Sequence, residues 1–356
     1  MKTPVVYSPD HALHDADTGT WVGVTIPSEE VPARIETIVA TLRASGREVV
    51  PAVSHDDSIL TAIHDSDFVE YLRDAYAQWV AWGYVDDPGQ PQVTAYAFPT
   101  NRVLGPHPLR LPTSPGALAG VYAMDTMTQI GKGTFAGARA AVDAAQTAAD
   151  LVIAGSPSAY AACRPPGHHA GAGFFGGSCY LNNAAVAAQT ICDAGLGRVA
   201  IIDLDAHHGN GTQQIFYERS DVLYGSVHVD PARGWFPHFV GHADEIGSGD
   251  GQGANLNVPI EPGEGDEAWL GGVDTLVEFA QSAGVTGVVV SLGVDAAISD
   301  PESPLQITEA GFAKAGERVA SLALPTVFIQ EGGYDLATLG ALVRATLDGF
   351  DDGRGF

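Results

Sequence analysis

Cysteine is scarce: the 356 residues hold three, Cys163, Cys179 and Cys192, which excludes a disulfide framework. Lysine is as rare, at Lys2, Lys132 and Lys314 alone, and 17 basic residues face 43 acidic ones for a formal charge of −26. A surface so short of positive charge repels nucleic acid and anionic membranes and favours cationic partners. Long apolar runs are missing too; none approaches the roughly 20 residues that a membrane-spanning helix needs. The opening stretch "MKTPVVYSPDHALHDADTG" has one Lys and no apolar segment behind it, so no secretory signal is read and a cytoplasmic location is expected. Repeats, low-complexity tracts and charged linkers are likewise absent.

What is present is a core-forming composition, 45% hydrophobic, arranged as short apolar runs separated by Ala-rich helical stretches. The runs "YAAC" (160–163), "RVAIIDLD" (198–205), "VLYGSV" (222–227), "GVVVSLG" (287–293) and "PTVFIQEGG" (325–333) read as strands buried on both sides. Helical pattern covers 64–82, 116–130, 135–154, 182–195, 266–283 and 309–322. This alternation predicts an α/β fold: a central, mostly parallel sheet flanked by helices on both faces. The Pro-rich segment 83–113 has no periodicity, and helical pattern on either side makes it an insertion within one domain spanning 1–356.

The apolar runs end in chemically active residues: Asp203 and Asp205, Ser226 and His228, Asp295, then Glu331 and Tyr334. Ligands of open parallel sheets bind beyond the carboxyl ends of the strands. In "DLDAHHGNG" (203–211), Asp205 and His207 stand two apart and can meet one cation, with Asp295 of "SLGVDAAISDP" as a third ligand. Zn²⁺ accepts two carboxylates and an imidazole and keeps an open position for water. The pair His168 and His169 in "CRPPGHHAGAGFFGG" is open to three roles: metal ligand, proton carrier or loop filler. With a complete ligand set elsewhere, proton transfer is the expected one, since a metal-activated water needs a base and the leaving amine an acid. Asp203 and Asn210 are candidate partners that would set the two rings to different protonation states. In "QEGGYDLATLG" (330–340), Gly332 and Gly333 allow a tight loop from which the Tyr334 phenol could donate to a developing oxyanion; packing against the sheet is the other reading.

Together, "RPPGHHAG", "DLDAHHGNGTQQIFYE", "SLGVDAAISDP" and "QEGGY" resemble the zinc-dependent histone deacetylase superfamily. "YLNNAAVAAQ", "GTQQIFYERSDV" and "FPHFVGHADE" look most like its bacterial acetylpolyamine amidohydrolases. The resemblance implies the arginase–deacetylase fold and one catalytic Zn²⁺ on Asp205, His207 and Asp295. It implies His169 as general base and acid, His168 as its electrostatic partner set by Asp203, and Asn210 against His169. Tyr334 would polarise the acetyl carbonyl. The Gly177 carbonyl would meet the substrate amide, and Phe236 would form one aromatic wall of the channel. It further implies a K⁺ or Na⁺ site from Asp203, Ser226 and the carbonyls of Asp205, His207 and Val227. A homodimer with 83–113 at its interface is also implied.

Two departures and one opposing feature bear on the substrate. Ser178 stands where the family usually has the second aromatic wall, which should widen the channel. The acidic residue that polyamine enzymes carry before the second helical stretch is absent, Gly116 being nearest. Against these, Glu302 follows Asp295 by seven residues, as a gatekeeper Glu does in the eukaryotic polyamine branch, and Glu29 and Glu30 would add negative potential at the mouth. The expected function is hydrolysis of an acetyl or short acyl amide of a small cationic amine, acetylpolyamines first. The alternative is a protein acetyl-lysine deacetylase with a widened channel.

Overall fold

The computed structural model describes residues 2–356. Its strands are β1 (Val5–Tyr7), β2 (Thr18–Trp21), β3 (Val24–Pro27), β4 (Val49–Pro51), β5 (Ser158–Ala161), β6 (Val199–Asp203), β7 (Val222–Val229), β8 (Asn255–Ile260), β9 (Gly287–Leu292) and β10 (Thr326–Gln330). Eight of them form one sheet in the order β4-β1-β5-β10-β9-β6-β7-β8, and every pairing in it is parallel. Strands β2 and β3 pair antiparallel as a separate hairpin.

The continuous apolar character of the inner strands follows from their two buried faces. Successive strand side chains point to opposite sides. Val199 and Ile201 of β6 pack with helices Thr134–Ile153 and Asn183–Asp193. Ala200 and Ile202 pack with helices Ala33–Ala44, Asp266–Ser282 and Glu309–Ala320 on the other face. The helix-flanked sheet is therefore as expected, and the five apolar runs are β5, β6, β7, β9 and β10.

Three sheet strands escape a reading by apolar runs. β1 and β4 are only three residues long, and β8, "NLNVPI", mixes asparagines with apolar residues at the sheet edge. The helix expected over 116–130 is shorter: it runs Pro115–Tyr122 and stops where Ala123 turns extended. Beyond it the Asp125 carboxylate accepts the Thr128 N–H at 2.8 Å, a local bond that competes with helix continuation. The segment 83–113 holds one short helix, Asn101–Leu104, and a bridge from Val93 to Ile130 ties its surroundings to the body. Gly116 packs against Tyr96 and Trp79.

Because the sheet is parallel, the loops after β5, β6, β7, β9 and β10 leave from the same edge. A buried ion network ties the N-terminal segment beneath that edge. Arg34 pairs with Glu30 at 2.7 Å and donates to the carbonyls of Gly333 and Glu331. Arg164 pairs with Glu30 at 2.8 Å and donates to the carbonyls of His11 and His14.

Against the cost of its burial, Arg164, His14 and Arg34 hold the Glu30 carboxyl well below its ordinary value of 4.5. The unfolded chain thus binds the proton first as pH falls, so the stability Glu30 adds is full above about pH 4.5 and is lost progressively below it. Glu30→Gln should lower stability at pH 7 by about 3 kcal/mol or more, with the deficit shrinking as the pH drops below 4.5. Thermal melts across this range check it; a deficit constant down to pH 3 would contradict it.

Candidate active site

The turn after β6 is shaped by its own carboxylates. Asp203 Oδ1 accepts the Asp205 N–H at 3.2 Å, and Asp205 Oδ1 accepts the His207 N–H at 2.9 Å. From the loop after β9, Asp295 Oδ1 accepts the Ala206 N–H at 2.9 Å, while its Oδ2 meets His207 Nδ1 at 2.9 Å. From the loop after β10, the Gly332 N–H donates to Asp205 Oδ2 at 2.8 Å. One ligand atom from each of Asp205, His207 and Asp295 lies within 4.8 Å of the others.

Glycine is required around this cluster. A Cβ at Gly293 would collide with the Asp205 carboxylate, and one at Gly332 would lie 2.6 Å from Asp295 Oδ2. Burial and the Asp205 charge push the Asp295 carboxyl up to about 7. Despite its own burial, His207 is raised well above the usual imidazole range by hydrogen bonds and charge from Asp205 and Asp295. Two carboxylates squeezed against one imidazole need a positive charge between them. The donor set, one imidazole nitrogen and two carboxylate oxygens with room kept by glycine, fits a divalent cation such as Zn²⁺.

His168 and His169 sit with ring centroids 4.0 Å apart and differ in their partners. His168 Nδ1 meets Asp203 Oδ2 at 3.1 Å, and Tyr224 donates its hydroxyl to the same oxygen at 2.9 Å. Overcoming the cost of burial, Asp205 and Asp203 push the His168 imidazole up to about 10, so it is held as a cation. His169 Nδ1 bonds the Asn210 carbonyl oxygen at 2.7 Å. Burial, then the charge on His168, drive its imidazole well below the ordinary range, so it is neutral. An Nδ1–H donated to Asn210 leaves Nε2 as the proton acceptor. The Phe236 ring meets His169 edge-on, at 4.7 Å and 89°.

Tyr334 follows the glycine pair at the end of β10. Its N–H donates to Asp300 Oδ2 at 2.6 Å, and the Arg34 guanidinium lies 4.7 Å from its ring centroid. Burial, then Glu302, lift its phenol well above 10, so the hydroxyl stays a donor. His169, Gly177, Ser178, His207, Phe236 and Tyr334 line one cavity of about 380 Å³.

The residues expected at the centre, Asp205, His207, Asp295, His168, His169 and Tyr334, are thus brought together. Ser226 lies opposite Asp203 in the sheet register, with Val227 next to it on β7. Glu302 and Glu29 line the cavity mouth. Glu30 does not add negative potential there, because Arg34 and Arg164 neutralise it. Glu331 lies below the His pair, accepting the Gly167 and His168 N–H groups at 2.7 and 3.1 Å. His228 turns away to the Gly241 carbonyl. Gly116 lines none of the cavity.

The reading of motifs missed Trp21, Met127 and Trp235, which line the mouth beside Ser178. Trp235 had a signal, as the neighbour of Phe236 in "GWFPHF"; Trp21 and Met127 had none, because the hairpin and the loop that bring them there are far away in sequence.

A model of the histone deacetylase domain matches residues 28–350. Acetylpolyamine amidohydrolase 1 of Pseudomonas aeruginosa is 39% identical over 347 residues, covering 97% of this chain and 98% of that protein. Acetylpolyamine amidohydrolase of Mycoplana ramosa is 38% identical over 346 residues, with the same coverage of 97% and 98%. The crystal structure of acetylpolyamine aminohydrolase from Burkholderia pseudomallei superposes with a TM-score of 0.91 at 36% identity, covering 98% of both chains. The chain belongs to the histone deacetylase domain family and is a metal-dependent deacetylase.

Proposed function

We propose that this chain, acting as one catalytic domain, hydrolyses the acetyl or short acyl amide of a small cationic amine, with acetylpolyamines the favoured substrates. The observation that carries this is the meeting of the Asp205, His207 and Asp295 cluster, the neutral His169 and the Tyr334 phenol in one cavity. The relatives named for acetylpolyamines, similar over nearly the whole chain, support the substrate class.

Zn²⁺ on Asp205, His207 and Asp295 would supply a Lewis acid that polarises the amide carbonyl and makes water acidic near neutral pH. His169 Nε2 takes the proton of the attacking water and hands it to the departing amine nitrogen. Asn210 holds the ring in that tautomer, and the charge on His168, anchored by Asp203, lowers the basicity of His169 so that the proton it takes up is readily given to the amine. The Tyr334 hydroxyl donates to the oxyanion as it forms. The Gly177 carbonyl accepts the substrate amide N–H, and Phe236 packs on the alkyl chain. K⁺ or Na⁺ at Asp203, Ser226 and the carbonyls of Asp205, His207 and Val227 would balance the carboxylates below.

At the mouth, Glu302 and Glu29 would pair with a distal ammonium. The net charge of −26 favours such a cation and disfavours nucleic acid and anionic membranes. No described helix is long and apolar enough to cross a membrane, and a cytoplasmic location belongs to the same reading. The second reading, a protein acetyl-lysine deacetylase with a widened channel, is favoured by one observation: position 178 itself contributes a small hydroxyl side chain, not a ring, to the cavity wall.

Chelation should abolish turnover and Zn²⁺ restore it, while Asp295→Asn should lower the bound metal below one ion per chain by elemental analysis; full metal content in that variant would exclude the ligand assignment. In zinc-loaded protein, His169→Ala and Tyr334→Phe should each lower kcat by about 10²-fold or more. Glu302→Leu should reduce kcat/KM for acetylspermidine by up to about fivefold, the range of a rim ion pair, and leave an acetyl-lysine peptide unaffected. Equal effects on both substrates would favour the second reading. In segment 83–113, Tyr96, Val103 and Leu111 are exposed at 67%, 75% and 57%, which supports a homodimer contact there. Light scattering should find a dimer at assay concentration, and a monomer would exclude it.

A further inference from the structure

Residues Gly176–Cys179 make a tight turn in the cavity wall. The Cys179 N–H donates to the Gly176 carbonyl at 2.9 Å, and the two central residues are left-handed, Gly177 at φ 54° and Ser178 at φ 63°. That is the pattern of a type I′ turn, which a serine at its third position resists. Something outside the turn has to hold it.

The holder is the segment that follows helix Pro115–Tyr122. The Gly177 N–H donates to Asp125 Oδ2 at 2.6 Å, and the Ser178 N–H donates to Thr128 Oγ1 at 2.9 Å. Thr128 in turn donates its N–H to Asp125 Oδ1 at 2.8 Å and its hydroxyl to Oδ2 at 3.2 Å. Both carboxylate oxygens are thus used as acceptors, and no Lys or Arg pairs with Asp125 among the described residues. A carboxylate is the side chain that can accept on both sides at once; an amide of the same shape can accept on only one.

The turn held in this way bears on the reacting groups. A Cβ at Gly177 would collide with the His169 ring and lie 3.0 Å from Phe236 Cε1, so the turn backbone sits flush against both. The same segment reaches the other side of His169. Met124 accepts the Nδ2–H of Asn210 at 3.4 Å, and a Cβ at Gly176 would run into its side chain. We infer that Asp125 is a positioning residue, fixing the Gly177–Ser178 turn and through it the seat of His169 and the gap between the turn and Phe236. This rests on the cavity being the amide-hydrolysis site.

The test compares Asp125→Ala, Asp125→Asn and Thr128→Val with wild type, all metal-loaded, using acetyl and butyryl amides of one diamine. Asp125→Ala should lower kcat/KM for the acetyl amide about tenfold or more. It should also change the acetyl-to-butyryl ratio at least about threefold as the gap relaxes. A reduced active fraction scales both substrates equally and leaves that ratio alone. Asp125→Asn, keeping one acceptor, should recover part of the loss, and Thr128→Val should shift the ratio in the same direction by less. A folded, metal-replete Asp125→Ala within twofold of wild type, or any loss with an unchanged ratio, overturns the inference. If Asp125→Ala does not fold, an unchanged ratio in both Asp125→Asn and Thr128→Val overturns it. Wild type inert toward both amides would overturn the hydrolase reading itself, and the inference with it.

Discussion

Four buried carboxylates, Asp203, Asp205, Asp295 and Glu331, converge beneath one cavity, and the surroundings are organised around stabilising that charge. Water cannot reach them, so each must be met by a donor or a cation. Backbone N–H groups answer first: Asp203 and Asp205 each take one from their own turn, Asp295 takes one from Ala206, and Glu331 takes two from the His loop. Positive charge answers next, on His168 and at the Asp205, His207 and Asp295 cluster. His169 pays for this arrangement by being kept neutral, and neutrality is the state a proton acceptor needs. The asymmetry between two adjacent histidines therefore follows from how many carboxylates each one touches.

How much of this was legible depended on whether partners lie close together in sequence. The Asp205, His207 and Asp295 cluster was, because a parallel sheet with buried strands must place their carboxyl ends together, and these residues follow β6 and β9 directly. The partners of the His pair were readable too, since Asp203 and Asn210 stand in the same strand-end motif. The loop 123–133 was not, since the helical pattern of 116–130 gives no hint that Asp125 ends it by binding Thr128 and reaching Gly177, 52 residues away. Glu30 was misjudged for the same reason. Nothing near it announces Arg164, whose guanidinium arrives from 134 residues along the chain.

Under the proposed function, substrate choice lies in this less legible part. The floor of the cavity is built from strand-end motifs, whereas Trp21, Met127 and Trp235 come from a hairpin and loops that fold over it. Chemistry and selectivity thus rest on different classes of structure. Strand ends are set by the core, while the walls depend on a few side-chain bonds between loops, so a change of substrate need not disturb the metal cluster.

Arg34 carries a consequence of another kind. Its guanidinium binds Gly333, 299 residues further along, just before Tyr334. The turn that carries Tyr334 is therefore seated by a helix from the other end of the sequence, and the strand order places late β10 between β5 and β9 in the middle of the sheet. One side chain thus fixes the backbone of that turn and faces its phenol ring at 4.7 Å, so the turn's position and the ring's orientation are set together.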